Sequence, residues 1–187
     1  GALMMRQHAI DEAQIKRINE LKTQQDGDYF LTSQLLHPLA LNEAVPSRVR
    51  VEFLTEQKKK FQFKHWHSEI GGDISSSNTV YLRNKKYVAF MNGDAMGKSI
   101  QGAGGALVLG TVFKSFLHRT QNDEMSRFMF PEQWLRDCYD ELHHVNNGYC
   151  TLLEPKSISG GQFAEWIKGR NPGTYVAVHY IKLIDYT

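Results

Sequence analysis

What this chain has little of narrows its class first. It holds 2 cysteines in 187 residues, too few for a disulfide framework or a four-cysteine zinc site, so Cys138 and Cys150 are read as reduced thiols. No apolar run approaches the roughly 20 residues that span a bilayer, and the N-terminus lacks the basic-then-apolar layout of a signal peptide. Neither sign of charge dominates: Lys+Arg 22 against Asp+Glu 20 leave a net charge of +2, so no global field draws the chain to nucleic acid or anionic lipid. Trp66, Trp134 and Trp166 lie in separate apolar settings, unlike the basic-aromatic platforms that take single strands. A soluble, cytoplasmic protein is expected, with no nucleic-acid partner and no membrane insertion by this chain.

What is present is the composition of a folded domain, 41% hydrophobic and 22% charged, in a length that suits one core. Gly1-Ala2-Leu3 reads as a remnant of tag removal, and residues 1–25 as that remnant plus a helical linker, leaving 26–187 as the domain. The linker carries Ile10, Ala13, Ile15, Ile18 and Leu21 among charges, without proline or glycine before Asp26-Gly27. It is read either as a signalling linker or homodimer seam, or as a packed or frayed terminal helix. After the Asp26-Gly27 break, Asp28 caps a second short helix that His37-Pro38 ends.

Strand signals follow. Val49, Val51 and Phe53 alternate with polar residues and, across a Lys58-Lys59-Lys60 tip, pair with Phe61 and Phe63. A second hairpin joins Thr79–Leu82 to Tyr87–Met91 through Arg83-Asn84-Lys85-Lys86. The run from Lys98 to about His118 reads as a buried helix whose glycines and alanines let it lie close to a sheet. Another helix begins near Pro131 with Trp134, Leu135, Cys138 and Leu142 on one face and stops at Asn146-Asn147-Gly148. Tyr149–Leu153, a turn at Ser157–Gly161 and a strand over Tyr175–Ile184 after Asn171-Pro172-Gly173 complete an α+β pattern with antiparallel strands.

Two acidic turns carry the chemistry. Gly71-Gly72-Asp73 lies between the hairpins, and Asn92-Gly93-Asp94-Ala95-Met96-Gly97-Lys98-Ser99 joins a buried strand to the small-residue helix. Glycines before an aspartate bring main-chain carbonyls near whatever the carboxylate binds, which suits a hard cation such as Mg²⁺ or Mn²⁺. The plainer alternative makes Asp73 a turn residue and Asp94 a helix N-cap. Gly97-Lys98-Ser99 also imitates a phosphate-binding loop, but Gly93 stands one residue too close to Gly97 for that pattern. His65-x-His67 and His143-His144 hint at zinc without a third ligand at motif spacing.

At these residues the chain resembles the bacterial PPM-type (type 2C-like) metal-dependent serine/threonine protein phosphatases of the sporulation and stress-response branch. The likeness lies in SEIGGDISSSNTVYLRNKKYVAFMNGDAMGKSIQGAGGALVLGTVF and extends more loosely over about 21–145. It implies an αββα fold, a pair of antiparallel sheets flanked by helices. It also implies two Mn²⁺ or Mg²⁺ ions that activate water to hydrolyse phosphoserine or phosphothreonine. Asp73 and Asp94 would be the catalytic metal ligands, the Ala95 carbonyl a further ligand and Glu69 an outer acid. The family closes its site with more C-terminal aspartates, one followed by glycine, yet the single Asp-Gly here is Asp26-Gly27. Of Asp123, Asp137, Asp140 and Asp185, Asp185 alone falls at the end of a predicted strand and is taken as the remaining candidate ligand. The partner implied is a phosphorylated regulatory protein such as an anti-sigma-factor antagonist, with the chain as output domain of a membrane-bound sensor. The rival reading is a non-catalytic partner-binding module on the same scaffold.

Overall fold

The computed structural model describes residues 1–45, 49–145, 150–152 and 177–185. In chain order these form α1 (Ala2–Leu36), β1 (Asn42–Glu43), β2 (Lys59–Phe63), β3 (Trp66–Ile70), β4 (Asp73–Leu82), β5 (Lys85–Ala95), α2 (Ile100–Asn122), α3 (Pro131–Val145), β6 (Cys150–Leu152) and β7 (Ala177–Asp185). The class is α+β. One sheet has the order β1-β4-β5-β7-β6, and β2-β3 form a separate pair. The stop at Asn146-Asn147-Gly148, the Ser157–Gly161 turn, Asn171-Pro172-Gly173 and Trp166 lie outside the described residues.

The main core forms where α2 covers β4 and β5. Ile74, Val80 and Leu82 from β4 meet Ala106, Leu109, Phe113 and Leu117 from α2, with Trp134, Cys138 and Leu142 of α3 closing the cluster. The face expected of α3 is therefore the buried one. Inside it Trp134 Nε1 donates to Thr120 Oγ1 at 2.9 Å, which satisfies the one polar atom of a fully buried ring. By length and composition α2 is also long and apolar enough to cross a membrane, at 23 residues with an 18-residue stretch of mean hydropathy 1.3, a property that counting uninterrupted apolar runs misses. In this fold its Gly102, Ala103, Ala106, Leu109 and Phe113 are buried.

Several expectations fail for identifiable reasons. Asp26-Gly27 does not break a helix: α1 continues for 35 residues. A Cβ at Gly27 would stand 3.3 Å from the Phe63 ring, so glycine permits α1 to cross β2 closely there. The boundary drawn at residue 25 falls inside this helix, at the point where exposure of residues 3–25 gives way to packing. The predicted Val49–Phe53 strand is absent, and β2 pairs with β3 instead, Phe61 opposite Ser68 and Phe63 opposite Trp66. The turn is Lys64-His65, with Lys64 at φ 54°, and not the lysine run, whose Lys59 and Lys60 lie in β2. Nor is the large sheet wholly antiparallel, since β1 runs parallel to β4 and β6 parallel to β7.

Among the described residues the second sheet is the two-stranded β2-β3 pair, and a face-to-face sandwich is not confirmed. The β2-β3 pair packs its Phe61 and Ile70 with Tyr29 of α1 and Ala103 of α2 in a second, smaller cluster. The face of β4 that turns away from α2 carries Ser75, Ser77 and Thr79, all buried. Residues 49–57 cross near it as irregular chain, tied in where Asn42 Nδ2 donates to the Val51 carbonyl and Ser77 Oγ donates to Asn42 Oδ1.

Candidate metal centre

One hairpin builds the site. Arg83 and Asn84 take φ of 52° and 59°, the left-handed pair of a type I′ turn, whose twist suits the strands it joins. Leu82 then faces Lys85, and the ladder runs without a bulge until Asp73 faces Asp94. A two-residue turn leaves the register no slack, so the pairing of two aspartates far apart in sequence is determined at the other end of the hairpin.

The kind of pairing matters as much as the register. Beyond the aspartates, Ala95 N–H donates to the Gly72 carbonyl at 2.9 Å, marking a hydrogen-bonded position. Bonded and non-bonded pairs alternate along an antiparallel ladder, so Asp73–Asp94 is non-bonded, the kind in which Cα atoms approach to roughly 4.5 Å and side chains lie closest. Both carboxylates leave the same face. Partial burial pushes the Asp94 carboxyl above its ordinary range, and the facing charge of Asp73 adds to the shift. Among the described residues neither carboxylate meets a hydrogen-bond donor or a cation, so their repulsion is left for something else to offset.

The backbone around the pair is drawn in tightly. A Cβ on Gly72 would lie 2.1 Å from the Ala95 carbonyl oxygen, and one on Gly102 would lie 2.9 Å from Gly72 N. The first turn of α2 thus rests on the Gly72 turn. Between them the chain reverses through Gly97 at φ 122° and Ser99 at φ 53°, and Ser99 stands at the N-cap of α2. Asp94 is consequently no helix cap, which removes the plainer alternative for it. Gly93, the glycine that would open a phosphate loop, sits inside β5 opposite Ile74; its backbone belongs to the ladder, and the phosphate-loop reading fails.

The donor chemistry fits a hard divalent cation. Two facing carboxylates, one of them destabilised as an anion, stand beside a carbonyl in the space that any side chain at Gly72 would fill. Glu69 lines the same cleft of about 330 Å³ as Asp73, together with Gln57, Ser68 and Ser75. Asp185 is not brought to the pair. On β7, Val178 faces Asp94 whereas Asp185 faces Tyr87, roughly 23 Å along the strand at ~3.3 Å per residue. Among the described residues no group of three or more His, Cys, Asp or Glu converges. The two-histidine strand face does not form either, since His65 occupies the turn and His67 lies on β3 opposite Gln62.

Two polar contributors escaped the sequence reading. Asn92 Nδ2 donates to Ser75 Oγ at 3.0 Å, one step along the ladder on the face of the aspartates. The alternations Asp73-Ile74-Ser75 and Asn92-Gly93-Asp94 carry that signal once both are read as strand. Gln57, which donates from Nε2 to the Asp73 carbonyl at 2.7 Å, has no motif to announce it.

Comparison with protein-family models matches residues 84–170 to stage II sporulation protein E (SpoIIE). The match covers Asp94, α2 and α3, while Asp73 lies upstream of it and is joined to it by the hairpin register. Comparison with curated proteins and with solved structures found no match. Residues 84–170 are thus similar to the SpoIIE family, and that match supports a PPM-type phosphatase domain of the SpoIIE branch.

Proposed function

We propose that this domain dephosphorylates phosphoserine or phosphothreonine in a bacterial regulatory protein, with water as the nucleophile and Mn²⁺ or Mg²⁺ as cofactor. The observation that carries the reading is the direct opposition of Asp73 and Asp94, with Asp94 pushed up as an acid. Asp73 and Asp94 would hold the ion by carboxylate, with the Ala95 carbonyl as further donor. A divalent cation held there supplies a water of lowered pKa and neutralises charge on a phosphoryl group. The chain's own share would be to hold the two anions together and to keep side chains out of the Gly72 turn. Residues 26–187 would form the unit, in the αββα arrangement of the family. The partner would be a cytoplasmic phosphoprotein such as an anti-sigma-factor antagonist, and the domain the output of a membrane-bound sensor.

The second reading, a non-catalytic partner-binding module, is favoured by the count of acids: among the described residues just two carboxylates meet. Fewer negative charges mean weaker cation binding and poor filling of a second site. One assay separates the two. Manganese-dependent hydrolysis of an aryl phosphate is compared between this chain and Asp94→Asn. A metal-stimulated rate that falls about 100-fold or more in the variant supports the enzyme. Equal rates in both support the binding module.

A further inference from the structure

We propose that Gln57 is a positioning residue that holds the Asp73 end of β4 in place for metal binding; the proposal rests on the metal reading above. The Asp73–Asp94 pair is a non-bonded one, so the Asp73 carbonyl points away from β5, toward the outer edge of β4. Among the described residues no strand lies beside that edge at Asp73, because β1 reaches only Ser77 and Asn78. Gln57 takes the place of the missing strand: its Nε2 donates to the Asp73 carbonyl at 2.7 Å.

The surroundings show how specific this arrangement is. Gln57 ends the irregular segment before β2 and is 9% exposed. Its Oε1 is buried with no hydrogen-bond partner and lies 2.0 Å from where a Cβ on Gly71 would stand. Burying an amide oxygen unpaired is unfavourable, and an apolar side chain of the same shape would avoid that cost. The site therefore tolerates the orphaned oxygen for the sake of the donor beside it, and Gly71 lacks a side chain in the space that the amide needs. Groups that hydrogen-bond around metal ligands set ligand orientation, and their loss commonly weakens metal binding 10–100-fold.

The test uses the metal-free full chain, with Mn²⁺ binding followed by titration calorimetry and folding by urea denaturation. Gln57→Met keeps the volume, removes the donor and removes the orphaned oxygen. Its urea midpoint should stay near that of the parent while Mn²⁺ affinity falls about 10-fold or more. Gly71→Ala, whose methyl would drive the amide off Asp73, should show the same loss with Gln57 still present. This second variant decides the matter if Gln57→Met does not fold. Parent-like affinity in Gln57→Met, with binding abolished in Asp73→Asn, overturns the role of Gln57 and leaves the metal site standing. A parent chain that binds no Mn²⁺ overturns both.

Discussion

At the scale of single residues, the site is a balance between a repelling pair and a backbone with no room to relax. The Asp94 carboxyl is raised by partial burial first and by Asp73 second. A carboxyl whose folded-state pKa lies above its unfolded value binds more protons folded than unfolded, so its ionisation opposes folding. Stability of the metal-free chain should therefore fall as pH rises from the ordinary carboxylate range through the raised Asp94 value. Asp94→Asn should remove that dependence and raise the urea midpoint at pH 7, and Mn²⁺ should raise the parent's midpoint but not the variant's. An Asp94→Asn protein less stable than the parent at pH 7 would contradict the raised value. Gly72→Ala tests the backbone. Its methyl would lie 2.1 Å from a main-chain carbonyl that belongs to the ladder, so neither partner can step aside. A loss of about 2 kcal/mol or more is expected in denaturant titration, as for other overpacked sites. Cys138 lies in the opposite condition: burial pushes its thiol far above the usual range, which fits its place in the α2–α3 core rather than in any chemistry.

At the scale of elements, the hairpin of β4 and β5 is the device that turns local turn chemistry into a distant pairing. Inserting one glycine between Arg83 and Asn84 should either bulge the ladder or slip it, and a one-residue slip would send Asp73 and Asp94 to opposite faces. Mn²⁺ binding should then be lost. Asn84→Gly, which keeps the turn length and suits φ 59°, should retain binding and cost nothing in stability. Calorimetry of the two variants side by side checks this. Much of this level was legible beforehand. The α3 face with Trp134, Cys138 and Leu142 followed from its 3.6-residue period, and the close approach of α2 from its small residues. The Val49–Phe53 strand was misread because alternation marks a strand only where a neighbour supplies hydrogen bonds, and β3 had already taken β2. Asp26-Gly27 was misread because the ring of Phe63 beneath it, not local propensity, decides what that position needs.

At the scale of the whole molecule, the apolar side chains gather in two clusters and the first part of α1 stands outside both. Residues 3–25 are exposed throughout, with Leu3, Met4, Ile15, Ile18 and Leu21 open to solvent. Deleting residues 1–24 should change folding stability by less than about 0.5 kcal/mol, and their amides should exchange faster than those of α2 in the intact chain. A marked loss of stability in the truncated chain would show that this stretch is packed in solution. The sequence by itself determined the class of the fold, the two glycine-aspartate turns and the helix faces, because each depends on spacing within a few residues. Only the tertiary structure decided that Asp73 faces Asp94 across a non-bonded pair, that Asp185 stands at the far end of β7, and that Gln57 braces the Asp73 carbonyl. Those three facts depend on register and on which strand edge is left uncovered, and register is a property of paired chains that no local pattern contains.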